Sequence, residues 1–136
     1  MIELRNVVVA YESRVILDSI NLTIDDGETL VILGGSGSGK STLLHLLGGV
    51  DKPTIGNVFI NDINIYDLKE KDLAIFRRRQ VGLIYQFYNL IPILNVEENI
   101  VLPCKLDGKN VSKDRLNEII DTLGLSTRRK HLPNEL

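Results

Sequence analysis

The sequence TLVILGGSGSGKST, residues 29–42, decides the fold. Residues 29–33 run apolar without alternation, as expected of a strand that is covered on both faces. A glycine-rich loop follows, and the helix that begins near Lys40 is stopped by Gly48 and Gly49. This order of strand, glycine loop and helix predicts a central parallel strand that leads into a phosphate-binding loop.

The glycine-rich loop satisfies the pattern G-x-x-x-x-G-K-[ST], and each part of the pattern has a chemical reason. Glycines let consecutive backbone amides turn inward around phosphate oxygens, and the helix N-terminus adds partial positive charge. We expect Lys40 to reach the β- and γ-phosphates of a nucleotide and Ser41 to ligate Mg²⁺. A Gly/Ser linker needs neither the lysine nor this position between strand and helix, which disfavours that alternative. The predicted nucleotide-binding residues here are Gly34, Gly35, Ser36, Gly37, Ser38, Gly39, Lys40, Ser41 and Thr42.

Length and composition are those of one ordinary globular domain. The chain has 136 residues, of which 43% are hydrophobic and 25% charged, which argues against collagen-like, disordered and coiled-coil classes. The formal net charge of −2 provides no general attraction to nucleic acid or to an anionic membrane. Three arginines at 77–79 stand at the end of a predicted helix, where they complement its dipole, so we predict no nucleic acid partner.

The cysteine content and the hydropathy of the chain indicate the cellular compartment of the protein. Cys104 is the single cysteine and cannot form an intramolecular disulfide, which favours a reducing cytoplasm. The N-terminal residues lack the basic-then-apolar order of a secretory signal, and no apolar run approaches the roughly 18 residues of a membrane span. We therefore expect a cytoplasmic protein whose membrane role, if it has one, comes through a partner.

Apolar patterns on both sides of the loop predict further elements. Residues 2–11 and 20–24 read as two antiparallel strands, and residues 58–65 read as a hairpin around Asn61 and Asp62. A helix is predicted from about Lys69 to Arg78. Residues 81–85 form another short apolar run, which predicts a second buried strand that ends at Gln86.

Beyond Gln86 the pattern becomes helical. Asn95 with Glu98 three residues later predicts a helix N-cap with a capping box. Leu116, Ile119, Ile120 and Leu123 recur at helical spacing before Gly124. We therefore divide the chain into a nucleotide-binding core with an antiparallel β part, residues 1–86, and a helical part, residues 87–136.

Taken together, these motifs resemble the ATP-binding subunit of ABC transporters over essentially the whole chain. Lys40 and Ser41 match the Walker A motif of that family, and Gln86 matches its Q-loop glutamine. Tyr11 stands where the family has an aromatic residue that stacks on adenine. The resemblance implies ATP and Mg²⁺ as cofactors, with Ser41 and Gln86 at the metal and with Lys40 and Gln86 as partial contributors to catalysis.

The resemblance also implies a fold and a branch of the family. The fold is an α/β P-loop NTPase core, incomplete here, with an antiparallel β subdomain and the start of a helical subdomain. The stretches VGLIYQFYNLIP, residues 81–92, and NVEENI, residues 95–100, look most like the branch that serves lipoprotein release, macrolide export and antimicrobial-peptide export. In the family, the region corresponding to residues 87–93 forms a groove for the transmembrane permease subunit, and an ordinary packed loop is the alternative.

Two of the implied roles have plain structural alternatives. Tyr11 is either the adenine-stacking ring or a residue that packs an edge strand, although a flat ring costs little entropy to order. Gln86 either completes a Mg²⁺ shell and orients water or is a solvated residue at a strand end.

The family's signature motif, its Walker B strand with an Asp-Glu end, its D-loop and its switch histidine find no match in these residues. Phosphoryl transfer needs Mg²⁺ held on both sides and a positioned water. We therefore expect an ATP-binding fragment of a subunit whose intact form couples ATP hydrolysis to membrane transport. By itself the fragment is expected to bind ATP or ADP weakly and to hydrolyse ATP negligibly.

Two further expectations follow. In the family, later strands lie between the two apolar runs at 29–33 and 81–85, so their absence is expected to leave open strand edges and to favour self-association or strand exchange. The alternative function is a natural short module that binds nucleotide or another subunit without catalysis. A small P-loop kinase or GTPase is disfavoured, because the sequence has no guanine-specifying Asn-Lys-x-Asp.

Overall fold

The computed structural model describes residues 1–87 and 89–136. Contacts within the chain divide it into two compact units, Met1–Leu83 and Ile84–Leu136. Each unit has its own cluster of buried apolar side chains. The predicted boundary after residue 86 separates a nucleotide-binding role from the role of the helical part. That assignment of roles stays a prediction.

The first unit is built on a four-stranded sheet. Its strands are β1 (Ile2–Tyr11), β2 (Arg14–Ile24), β3 (Ile55–Ile60) and β4 (Ile63–Asn64). The order across the sheet is β2-β1-β3-β4, and every neighbouring pair is antiparallel. The two predicted strand pairs, at the start of the chain and around Asn61 and Asp62, are confirmed.

A close approach between β1 and β3 depends on one glycine. β1 changes register between Leu4 and Val7, which lets both of these side chains face the core although they are three residues apart. Asn6 in this bulge has a φ of 49°. A Cβ atom on Gly56 would lie 2.4 Å from the Asn6 carbonyl oxygen, so only glycine fits there.

Two helices complete the core of the first unit, α1 (Lys40–Leu47) and α2 (Glu70–Gln80). Leu46 of α1 and Leu73 of α2 are buried in one cluster with the sheet residues. Gly48 caps the end of α1, and both helices lie where the sequence predicts them. The helix that follows the glycine loop is therefore anchored to the sheet by its apolar face.

The prediction of buried strands at residues 29–33 and 81–85 is wrong for the described residues. Residues 29–33 and 81–85 are not part of any strand, and Val31, Leu33 and Ile84 are 70%, 86% and 97% exposed. An apolar strand is stable only where neighbours satisfy its backbone groups and cover both of its faces. Within residues 1–87 and 89–136, no strand pairs with either segment. The apolar pattern marks segments that are suited to a sheet, but the sheet around them is not formed.

The second unit is helical, as predicted. It contains α3 (Val96–Leu106), α4 (Lys113–Thr122) and two 3-10 turns, Ser126–Arg128 and Pro133–Glu135. Val101 packs with Leu116 and Ile120 in the core of this unit. Across the part of the chain that the structure describes, no helix combines the length and hydrophobicity that crossing a bilayer requires.

Capping side chains set the starts of α3 and α4. The predicted capping box is confirmed: Asn95 Oδ1 accepts a hydrogen bond from the Glu98 amide at 3.0 Å, and Glu98 Oε2 accepts one from the Asn95 amide at 2.9 Å. At α4 the Ser112 hydroxyl accepts a hydrogen bond from the Arg115 amide at 3.2 Å. Each cap satisfies an amide that the helix itself leaves without a partner.

Candidate nucleotide-binding site

A pocket of about 280 Å³ opens in the first unit, between the β1–β2 hairpin and the beginning of α1. It brings together Tyr11 from the hairpin and the second half of the glycine loop, which are far apart in sequence. Its lining residues are Tyr11, Arg14, Ile16, Gly37, Ser38, Gly39, Lys40, Ser41 and Thr42. Three further predicted residues, Gly34, Gly35 and Ser36, belong to the loop but are not among those lining residues.

Gly39 fixes the loop against β2 at the point where α1 begins. It is the N-cap residue and has a φ of 89°, a left-handed conformation that side-chain-bearing residues rarely adopt. A Cβ atom at this position would lie 2.9 Å from Leu17 Cδ2 and 3.1 Å from the Ile16 carbonyl oxygen. A side chain here would be strained by the left-handed backbone and would require Leu17 and the Ile16 carbonyl group to shift, so the position favours glycine.

The Lys40 ammonium group closes the loop from inside. Its Nζ donates hydrogen bonds to the carbonyl oxygens of Gly34 at 2.9 Å and Gly35 at 2.5 Å, and it lies 3.3 Å from Ser38 Oγ. The lysine side chain therefore returns along the loop instead of pointing away from it. An ammonium group held by carbonyl oxygens can exchange them for phosphate oxygens, which are stronger acceptors.

The start of α1 offers unused amide donors. No side chain of residues 1–87 or 89–136 caps this N-terminus, and the first turn contains no acidic residue. The first intrahelical hydrogen bond joins the Leu43 amide to the Gly39 carbonyl oxygen at 2.8 Å, so the amides of Lys40, Ser41 and Thr42 precede the helical ladder. Free amides and the helix dipole together favour an anion at this position.

Tyr11 presents an accessible ring at the end of β1. Its side chain is 52% exposed and lines the pocket. Desolvation and the nearby Asp51 carboxylate raise the pKa of the Tyr11 hydroxyl above its ordinary value, so the ring stays neutral at physiological pH. A neutral, half-exposed aromatic face is suited to stacking on a base.

Gln86 lies in the second unit, in an exposed bend. Its predicted part in Mg²⁺ binding stays a prediction. Within residues 1–87 and 89–136, no group of three or more His, Cys, Asp or Glu side chains is placed to hold a metal ion. Ser41 is the predicted metal ligand that lines the pocket.

The apolar run after Gln86 is exposed where the structure describes it. Phe87 and Ile93 are 75% and 82% exposed, and Leu90 and Ile91 are also exposed. Tyr88, which belongs to the same predicted stretch, lies outside the described residues. This exposure disfavours the alternative of an ordinary packed loop for the described part of the run.

Two pocket residues were missed by the sequence interpretation, Arg14 and Ile16. Neither belongs to a phosphate-binding motif. The sequence interpretation begins the second strand at Ile20, whereas in the structure a two-residue turn follows Tyr11 and places Arg14 directly opposite it. The position of Arg14 in the pocket therefore became visible only in the structure.

Comparison with known proteins points to one family. Residues 17–136 match the family described as ABC transporter. An uncharacterized ABC transporter ATP-binding protein of Mycobacterium tuberculosis is 43% identical over 125 residues, which cover 90% of this chain and 50% of that protein. The lipoprotein-releasing system ATP-binding protein LolD of Colwellia psychrerythraea is 42% identical over 124 residues, covering 89% of this chain and 48% of that protein.

A solved structure is similar over the whole chain. It is the dimeric ATP-binding cassette MJ0796 in a post-hydrolysis state bound to ADP and Pi, with a TM-score of 0.89 and 36% sequence identity. The similarity covers 100% of this chain and 63% of that one. The chain spans about half the length of these two curated relatives.

Proposed function

The chain belongs to the ABC transporter family, and on that premise we propose that its pocket binds Mg-ATP as the nucleotide-binding part of a transporter subunit. The observation that carries the proposal is the single pocket that joins an exposed aromatic ring, Tyr11, to the glycine loop and to the open N-terminus of α1. A nucleotide has the matching construction, with a flat base at one end and phosphates at the other.

The phosphate end of the nucleotide is assigned to the loop and α1. The amides of Lys40, Ser41 and Thr42 precede the helical ladder and face an environment without acidic side chains in the first turn. Lys40 Nζ already lies within the loop, where it reaches the carbonyl oxygens of Gly34 and Gly35. The loop is therefore arranged around a positive charge before any phosphate enters.

The residues also fit Mg²⁺ as the companion of the phosphates. Mg²⁺ in nucleotide sites keeps several waters and takes one or two protein ligands besides phosphate oxygens, so it needs no cluster of carboxylates. Ser41 lines the pocket at the start of α1, and its hydroxyl would supply one such ligand. We assign Gln86 to the second position on the strength of its match to the Q-loop alone. When bound, the ion neutralises phosphate charge.

For the whole protein we propose ATP hydrolysis coupled to membrane transport through a transmembrane permease, at the inner face of the membrane. The branch is that of lipoprotein release and related export, because several of the similar proteins are lipoprotein-releasing system ATP-binding proteins. The exposed apolar side chains of Phe87, Leu90, Ile91 and Ile93 offer a surface for such a permease.

Calorimetric titration with Mg-ATP tests the nucleotide site. We expect saturable binding by the parent chain and at least about a tenfold weaker affinity for Lys40→Ala, since a charge-assisted contact to phosphate is lost. Lys71→Ala is the matched control, because this exposed lysine lies on α2 outside the pocket. Absence of binding by the parent, or equal affinity of the Lys40 variant, would contradict the proposal.

A further inference from the structure

The pocket contains one charged residue that the phosphate-binding motif does not account for. Arg14, the first residue of β2, lines the pocket together with Tyr11 and the glycine loop. We propose that its guanidinium is a second cationic contact for the bound nucleotide, at the phosphate nearest the ribose. This inference rests on the proposed function, because it names a further residue of the same site.

The hairpin places Arg14 beside the base-stacking position. Tyr11 and Arg14 are direct cross-strand partners, joined by the two-residue turn of Glu12 and Ser13, and Glu12 has a φ of 53°. Directly opposite residues of an antiparallel pair project from the same face of the sheet, with Cβ atoms roughly 5 Å apart. The tight turn therefore places Tyr11 and Arg14 side by side at the edge of the pocket.

The charges of the pocket leave Arg14 available. Lys40 and Arg14 are the cations among the lining residues, and no aspartate or glutamate lines the pocket. Lys40 is engaged by the loop carbonyl oxygens. Arg14 is exposed, and within residues 1–87 and 89–136 no hydrogen bond or ion pair engages its side chain. Asp51 lies beside the Tyr11 hydroxyl but is not a lining residue. A guanidinium group at a pocket whose other lining residues are cationic or neutral is suited to an anion.

The order of base, ribose and phosphates in a nucleotide indicates which phosphate Arg14 contacts. If the base stacks on Tyr11 and the terminal phosphates meet Lys40, the ribose and the first phosphate lie between these two residues. Arg14 stands next to Tyr11 and has the length to reach this intermediate segment. Its planar fork of N–H donors matches two phosphate oxygens, which Lys40, as a point charge, does not.

The experiment compares Mg-ADP binding by the parent chain, Arg14→Gln and Arg14→Lys, with Arg128→Gln as the matched loss of one exposed arginine outside the pocket. We expect Arg14→Gln to weaken binding about fivefold, which is modest because the site is exposed to solvent. Arg14→Lys is expected to fall between the parent and Arg14→Gln, and Arg128→Gln to match the parent. Far-UV circular dichroism establishes that all the variants are folded.

Salt separates a phosphate contact from a contact with the base. In about 1 M salt, where the Debye length falls to roughly 3 Å, the affinities of parent and Arg14→Gln are expected to converge. A difference that persists undiminished in high salt, or equal affinities at low salt, would overturn the assignment of Arg14. If the parent itself fails to bind Mg-ADP, the proposed function fails first and the role of Arg14 with it.

Discussion

Single residues decide whether the loop can hold its shape. Gly39 combines a left-handed backbone with a tight approach to Leu17 and to the Ile16 carbonyl oxygen, which would have to shift for a Cβ atom. Lys40 then crosses the loop to reach Gly34 and Gly35. The sequence pattern identified these residues by type and spacing, but the contact of the loop with β2 was not visible in it, because it depends on the tertiary position of the hairpin.

Gly39→Ala tests that contact. The substitution forces a side chain into a left-handed conformation and against β2, so we expect a loss of about 1–3 kcal/mol in the free energy of unfolding, together with weaker nucleotide binding. Chemical denaturation measures the stability. Gly82→Ala is the control, because a Cβ atom there meets no neighbour and the backbone is not left-handed. Equal stability of the two variants would show that Gly39 is not constrained as described.

Tyr66 links stability to pH. Its hydroxyl donates a hydrogen bond to the Leu46 carbonyl oxygen, 2.6 Å away, and contacts the Asp51 carbonyl oxygen. Burial, with the charge of Asp51 second, raises the pKa of Tyr66 well above its ordinary value. Because the folded pKa exceeds the unfolded one, this contribution is complete below the unfolded value of about 10 and is lost as pH rises beyond it.

The prediction is that the stability of the parent falls as the pH rises from about 10 to about 12 and that Tyr66→Phe lacks most of this fall. At neutral pH the variant is expected to be less stable by about 1 kcal/mol, the usual contribution of one hydrogen bond. Urea unfolding of both proteins across this pH range measures the difference. Parallel pH profiles would indicate that the hydroxyl is not buried in the folded chain.

At the scale of elements, the sequence predicted correctly those helices and strands whose formation depends on neighbouring residues. The hairpins, the helix after the loop and the capping box of α3 follow from neighbouring residues, and the structure has them. Residues 29–33 and 81–85 carry an equally clear apolar pattern, yet neither becomes a strand. A buried parallel strand requires partners from elsewhere, and the pattern of one segment contains no information on whether those partners are present.

The cap of α3 gives a test at this scale. Asn95→Ala removes the acceptor for the Glu98 amide and is expected to destabilise the second unit by about 1 kcal/mol. Hydrogen exchange of the first-turn amides of α3 measures the effect locally. Asn110→Ala, in the exposed segment between α3 and α4, is the control. Unchanged protection in the Asn95 variant would show that the cap contributes nothing to this helix.

At the scale of the molecule, the exposed apolar surface leads us to expect association between chains. Val31 and Leu33 in one segment and Ile84 in the other expose most of their side chains, and their backbones lack strand partners among the described residues. Such segments favour association with another chain. The similar cassette structure is itself dimeric, although that chain extends well beyond the part matched here.

We predict self-association at high concentration through the segment at 29–33. Replacing Val31 and Leu33 by lysine is expected to shift the mass measured by light scattering toward the monomer, because charged side chains in an exposed segment oppose its pairing as a strand with another chain. Leu123→Lys is the control, since this exposed leucine lies on the second unit. A parent chain that stays monomeric at high concentration would contradict the prediction.

The central claim is that backbone amides at the start of α1 hold the phosphates of a nucleotide whose base meets Tyr11. The most direct measurement is an NMR titration of the ¹⁵N-labelled chain with Mg-ADP, followed at every assigned backbone amide. The account predicts the largest saturable shifts in the loop and first turn of α1, residues 37–42, and smaller ones near Tyr11. Shifts confined to other regions, or no saturable shifts in a folded chain, would contradict it.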